Sequence, residues 1–174
     1  PMRHRYTPWL IPLLTGLFLL LVSDLASQRS VAAQQRLTPI YQIQGNSATT
    51  PLLEKWVDTY GLVTGVVATG FYLQDPAGDG DPTTSDGIFV YTNQRPTVEP
   101  GQCVQLQRAY VDEFYEKTEL SRLKAIRPAD LCSLTAVAPV LIPQARLAMT
   151  PSLLFEPYEG MVVQVADLVG TVQG

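Results

Sequence analysis

Four carboxylates, Asp75, Asp79, Asp81 and Asp86, fall within the stretch GFYLQDPAGDGDPTTSDGIFVY at residues 70–91, interleaved with Gly78, Gly80 and Gly87. Oxygen donors at this density are the set that a hard cation such as Ca2+ takes. Counting Asp75 as position 1 places Asp79 at 5, Gly80 at 6, Asp81 at 7, Thr83 at 9 and Asp86 at 12, the spacing of an EF-hand loop. Position 3 is Ala77, position 12 is Asp rather than the longer bidentate Glu, and the flanks read as strands, all of which argue against a true EF-hand. Two readings remain: a calcium loop framed by strands, and a plain Asp/Gly turn whose carboxylates splay into solvent.

A second chemistry is the stacking of bases on aromatic rings beside cationic side chains, the means by which single-stranded nucleic acid is held. Tyr72 and Tyr91 are the candidate platforms, with Arg108, Lys117, Arg122 and Lys124 as the candidate cations. Phe71, Phe89, Tyr110, Phe114, Tyr115 and Arg127 belong to the same wider set, although half of the aromatics must face a core. Asp112, Glu113, Glu116 and Glu119 sit among the cations, so any binding is expected to be weak and salt-sensitive. A solvated charged face is the competing reading.

Other chemistries are excluded. The 174 residues contain one histidine, His4, and it precedes the apolar run WLIPLLTGLFLLLV at residues 9–22. With Arg3 and Arg5 before it and Val31-Ala32-Ala33 after it, that run reads as a signal peptide cleaved before Gln34, an uncleaved membrane anchor being the alternative. The chain is thus expected to be secreted, periplasmic or at the cell surface of a bacterium, with membrane contact only through this segment. Beyond residue 33 there is no imidazole for a catalytic triad or a His-bearing zinc site. Removing residues 1–33 also takes the net charge from −4 to about −6, which argues against general nucleic-acid adhesion. The two cysteines, Cys103 and Cys132, are expected to form a structural disulfide in an exported chain.

The elements that must position these residues are mostly strands. Residues 34–50 read as a linker. Pro51–Tyr60 reads either as a short helix or as an extended lead-in, and Leu62–Thr69 as a strand that curls at Gly65. Phe71–Gln74 and Ile88–Tyr91 flank the acidic loop, and Asn93–Gly101 is a turn segment with no room for a helix. In Cys103–Val111 the set Val104, Leu106, Arg108 and Tyr110 begins as the core face, and Thr118–Ile126 reads as a bulged fifth strand.

The pattern predicts an all-β fold, a small OB-like barrel of about five strands over 51–135, with an SH3-like barrel and an incomplete sandwich as alternatives. Residues 136–174 read as a connecting segment, a helix start at Thr150-Pro151 and a further strand pair, Met161–Val165 with Leu168–Val172. The chain is expected to be part of a longer polypeptide.

Several of these stretches form a recognisable set: Ile43-Gln44-Gly45, Val63-Thr64-Gly65, the loop from Phe71 to Tyr91, Val111 to Leu120 (VDEFYEKTEL) and Tyr158 to Val163 (YEGMVV). Together, over about residues 40–165, they resemble the N-terminal OB-like region of secreted bacterial nucleases of the endonuclease/exonuclease/phosphatase superfamily. Ala77 departs from that pattern, where relatives often carry another Asp. The resemblance implies an accessory domain of a DNA- or RNA-degrading enzyme whose catalytic domain lies C-terminal to Gly174 in the same polypeptide. The Mg2+ or Mn2+ chemistry, with a His base and Asn, Asp and Glu ligands, would belong to that domain. No catalytic residue is assigned here. The alternative is a calcium-stabilised structural or binding domain without nuclease activity.

Overall fold

A computed structural model describes residues 37–143 and 155–166. The signal peptide expected at 1–33, the helix start at Thr150 and the strand at Leu168–Val172 fall outside the described residues.

Alternation of side chains between two faces builds the sheet. In β2 (Gly70–Gln74) and β3 (Gly87–Tyr91), Phe71, Leu73, Ile88 and Val90 point inward and are fully buried, while Tyr72 and Phe89 take the opposite face. The strands pair antiparallel, Phe71 opposite Val90 and Tyr72 opposite Phe89. The longest strand, β1 (Trp56–Val67), serves two neighbours: its first half pairs with β4 (Cys103–Glu113) and its second half with β2. Such a strand has to coil, and a register shift between Val63 and Gly65 provides the bend that Gly65 predicts.

Closure comes from β5 (Thr118–Ser121), which runs parallel to β3 and antiparallel to β4. The order β1-β2-β3-β5-β4, with β4 pairing back to β1, is a closed five-stranded barrel of OB topology. It settles the choice among the all-β alternatives, because no edge is left open between β4 and β1. The core holds Val57, Val63, Phe71, Leu73, Ile88, Val90, Val104, Leu106, Ala109, Val111 and Leu120.

Within β4 the core face changes sides. Val57 faces Ala109 but Thr59 faces Leu106, so Gln107 and Arg108 together oppose Asp58. This bulge turns the buried set from Val104 and Leu106 to Ala109 and Val111. Arg108 adopts a left-handed φ of 53°, and its amide donates to Asp58 Oδ1 at 2.7 Å.

Three sequence expectations are corrected. The single bulged fifth strand is two strands, β5 and β6 (Ala125–Pro128), lying end to end along β4. Gln107 pairs with Ala125 and Tyr110 with Ser121, so two residues of β4 face three of the partner, and the chain breaks at Arg122 with φ 51°. The helical alternative at Pro51–Tyr60 gives way to a turn followed by β1, whose Val57 and Thr59 are β-branched and buried between strands. The linker expected up to Thr50 is docked from Thr38 onward. Ile40–Gln44 forms a short helix, α1, whose Ile40 and Ile43 are fully buried in the core against β1 and β3. At the C-terminal side, β8 (Val163–Val165) pairs in parallel with β7 (Val140–Ile142).

Cys103 and Cys132 are bonded, 29 positions apart, tying the segment after β6 back to the start of β4. Among the described residues no helix is long and apolar enough to cross a membrane.

Candidate nucleic-acid interface

The same alternation that fills the core puts a second set of side chains on the outside of the barrel. One outer row crosses four strands: Tyr72 of β2, Phe89 of β3, Glu119 of β5 and Asp112 of β4 are successive cross-strand partners. Beside it, Ser121, Tyr110 and Trp56 form another such row. Between the β4–β5 hairpin, the end of β3 and the break before β6 lies a groove of about 940 Å³. Phe89, Glu119, Ser121 and Asp112 line it from the sheet, and Tyr91, Phe114, Lys117 and Arg122 from its sides.

Cations lie against the rings. Lys117 Nζ is 4.1 Å from the Phe89 ring centre and 3.4 Å from Glu119 Oε2. Arg122 stacks 4.3 Å over Tyr110, and Arg108 stands 5.3 Å from the ring centre of Trp56. Each contact joins a charge to a π face without neutralising it. Phe114 and Tyr115 pack edge to face at the hairpin tip, where Phe114 is 56% and Tyr115 89% exposed.

Of the six nucleic-acid candidates, Tyr91, Lys117 and Arg122 share this groove. Tyr72 lies beside its aromatic floor on the same outer face, its ring 5.1 Å from that of Phe89. Arg108 lies on the β4 bulge over Trp56, and Lys124 is in the break between β5 and β6; neither lines the groove. Phe89 stood only in the wider aromatic set, and Asp112, Glu119 and Ser121 were not singled out as binding residues. The signal for Phe89 was its alternation with the core residues Ile88 and Val90; for the other three it lies in strand register, which is not local.

The acidic loop joins β2 to β3 at Gly87, the other end of β3 from Tyr91. Its carboxylates are engaged with the loop itself. Asp75 Oδ1 accepts from the Ala77 amide at 3.0 Å, Asp79 Oδ1 from Asp81 at 2.8 Å, Asp81 Oδ1 from Thr83 at 2.9 Å, and Asp86 Oδ1 from Asp79 at 3.2 Å. The Thr83 hydroxyl and amide hold the Asp81 carboxyl below its usual range. Burial, and then the negative charge of Asp79, push Asp86 up to about 6. Among the described residues no group of three or more His, Cys, Asp or Glu side chains is placed to hold a metal ion. The donor types suit Ca2+, but the arrangement seen uses them as turn-capping acceptors.

Three of the other quoted motif stretches, those containing Gln44, Thr118 and Glu159, converge on one end of the barrel. Gln44 Nε2 donates to the Gly87 carbonyl, Ser85 Oγ to the Glu159 carbonyl at 2.6 Å, and the Val162 amide to Gln74 Oε1 at 3.0 Å. The Thr118 amide donates to Glu159 Oε2 at 3.0 Å. Burial pushes that carboxyl up to about 7, with Glu156 and Glu113 adding to the rise and the Thr118 amide opposing it. These residues clasp α1 and the C-terminal segment onto β2 and β3. Their role is structural.

No protein-family model matches the sequence, and no curated protein matches it. Solved structures do match. The OB domain of a Methanosarcina mazei protein aligns over 49% of this chain and 83% of its own, at 15% identity and a TM-score of 0.35. Fission yeast Pot1, solved with single-stranded DNA, aligns over 42% of this chain and 29% of its own, at 18% identity and a TM-score of 0.27. The fold assignment itself rests on the strand order and closure described above.

Proposed function

We propose that this OB barrel is an accessory domain that holds single-stranded nucleic acid in its outer groove, serving a metal-dependent phosphodiester-hydrolysing domain in the same polypeptide of a secreted bacterial nuclease. The observation that carries the binding part is the groove itself: an aromatic floor at Phe89, a ring at Tyr91 on its side, and Lys117 and Arg122 beside them. Rings supply base stacking, and the two cations supply contacts to phosphate or to base acceptors. The nuclease context is supported by the resemblance of the motif stretches alone.

Fluorescence anisotropy with a labelled single-stranded oligonucleotide tests the binding. At low salt the chain should retain the oligonucleotide, and binding should weaken as salt rises. Lys117→Ala with Arg122→Ala should lower affinity and flatten the salt dependence by roughly 0.7 for each phosphate no longer neutralised. Equal affinity and equal salt slope in the double variant would remove the groove from the interface.

A calcium-stiffened loop is the second reading, favoured by the repulsion between Asp79 and Asp86 that a cation would relieve. It requires Asp75, Asp79, Asp81 and Asp86 to trade backbone amides for the ion. A melting temperature raised by calcium in the parent chain but not in Asp79→Ala/Asp81→Ala supports it. Identical melting in calcium and in chelator removes it.

A further inference from the structure

The groove carries more acid than a phosphate-binding surface needs, and this points to what part of the ligand it reads. Asp112 and Glu119 are cross-strand partners on the outer face, and both line the groove. Glu119 is only 7% exposed, so its charge is held in the floor rather than in solvent. Next to it lies Ser121, 6% exposed, whose hydroxyl has no hydrogen-bond partner among the described residues. A buried hydroxyl left unpaired costs roughly 1–3 kcal/mol unless something pairs with it. A phosphate placed on this floor would meet two carboxylates; the N–H edge of a base would meet acceptors suited to it.

We propose that the groove preferentially reads guanine, an inference that rests on the nucleic-acid reading above. Guanine shows one acceptor, O6, followed by two adjacent donors, N1–H and the N2 amino group. Lys117 Nζ, 3.4 Å from Glu119 Oε2, sets a donor directly beside the carboxylate acceptors. The patterns are complementary: ammonium to O6, and carboxylate to N1–H and N2–H. Thymine places its single N3–H between two carbonyl oxygens, which a carboxylate repels. Adenine and cytosine offer one amino donor beside a ring-nitrogen acceptor. Tyr91 and Phe114, both exposed in the groove, supply ring faces against which the base can stack.

The experiment measures anisotropy of fluorescein-labelled oligothymidylate, all-thymine or carrying two central guanines, inosines or adenines, on the full chain at low salt. Guanine should bind about tenfold more tightly than thymine, with inosine, which lacks the N2 amino group, in between. Glu119→Gln should bring the guanine-to-thymine affinity ratio to about one while all-thymine binding persists and, with a negative charge gone from beside Lys117, is no weaker than in the parent, an outcome that a merely structural loss would not give. Circular dichroism melting checks that the variant is folded, and Asp112→Asn, at a partly exposed position, serves the same purpose if it is not. Equal affinity for guanine and thymine, or a preference that survives both substitutions, overturns the inference and leaves the binding site standing. Failure to bind any oligonucleotide overturns both.

Discussion

Two carboxyls, Asp86 and Glu159, hold their protons to higher pH in the fold than in the open chain, at about 6 and about 7 against ordinary values of 3.8 and 4.5. Burial is the leading cause for each. Between the unfolded and folded values the native state binds protons that the unfolded state has released, so stability falls as pH rises through that window. Acidifying from about pH 8 to about pH 5 should therefore raise the melting temperature. Asp81 works in the opposite sense: its carboxyl is lowered by Thr83, so the stability it adds is lost at still lower pH. Asp86→Asn keeps an acceptor for the Asp79 amide and removes the charge. It should raise the melting temperature near neutral pH and shrink the gain on acidification, as followed by circular dichroism. An unchanged pH profile would show that Asp86 ionises normally.

At the scale of elements, the contact between β3 and the C-terminal segment depends on two glycines meeting backbone to backbone. A Cβ on Gly87 would sit 2.4 Å from the Gly160 carbonyl carbon, and one on Gly160 would sit 2.6 Å from the Ile88 nitrogen. Gly160 also has φ +70°, where an L side chain adds roughly 1–2 kcal/mol of strain. Gly160→Ala should cost at least that amount in urea unfolding and loosen the segment from the barrel, seen as faster hydrogen exchange at the Val162 amide, which bonds Gln74. A variant with parental stability would mean that the segment can shift aside freely. The sequence showed Gly87 and Gly160 only as members of separate motif stretches, because nothing local relates residues so far apart. Strand identities were more legible: β2 and β3 follow from their aromatic and β-branched residue types and β4 from its alternation. The break between β5 and β6 was not, since it arises from the count of residues facing the β4 bulge.

For the molecule as a whole, the Cys103–Cys132 bond closes a loop of about 30 residues, which on the chain-entropy model contributes roughly 3–4 kcal/mol. It anchors a stretch of few elements between β6 and β7 to the first residue of β4. Reduction, or Cys103→Ser with Cys132→Ser, should lower the urea midpoint by an amount of that order while the barrel remains cooperative, because its core lies wholly in other residues. Loss of all folded signal on reduction would show that the barrel cannot close unaided.

Side-chain type and spacing along a few neighbouring residues were enough to dictate the all-β character, the bend at Gly65 and the acid-rich turn. Three other outcomes emerge in the folded chain alone. The barrel closes through a parallel β3–β5 pair, Ile40 and Ile43 fill one end of the core, and Asp112, Glu119, Ser121 and Lys117 line one groove with Phe89. All three depend on register between strands distant in sequence, where a slip of one residue would send every side chain to the opposite face.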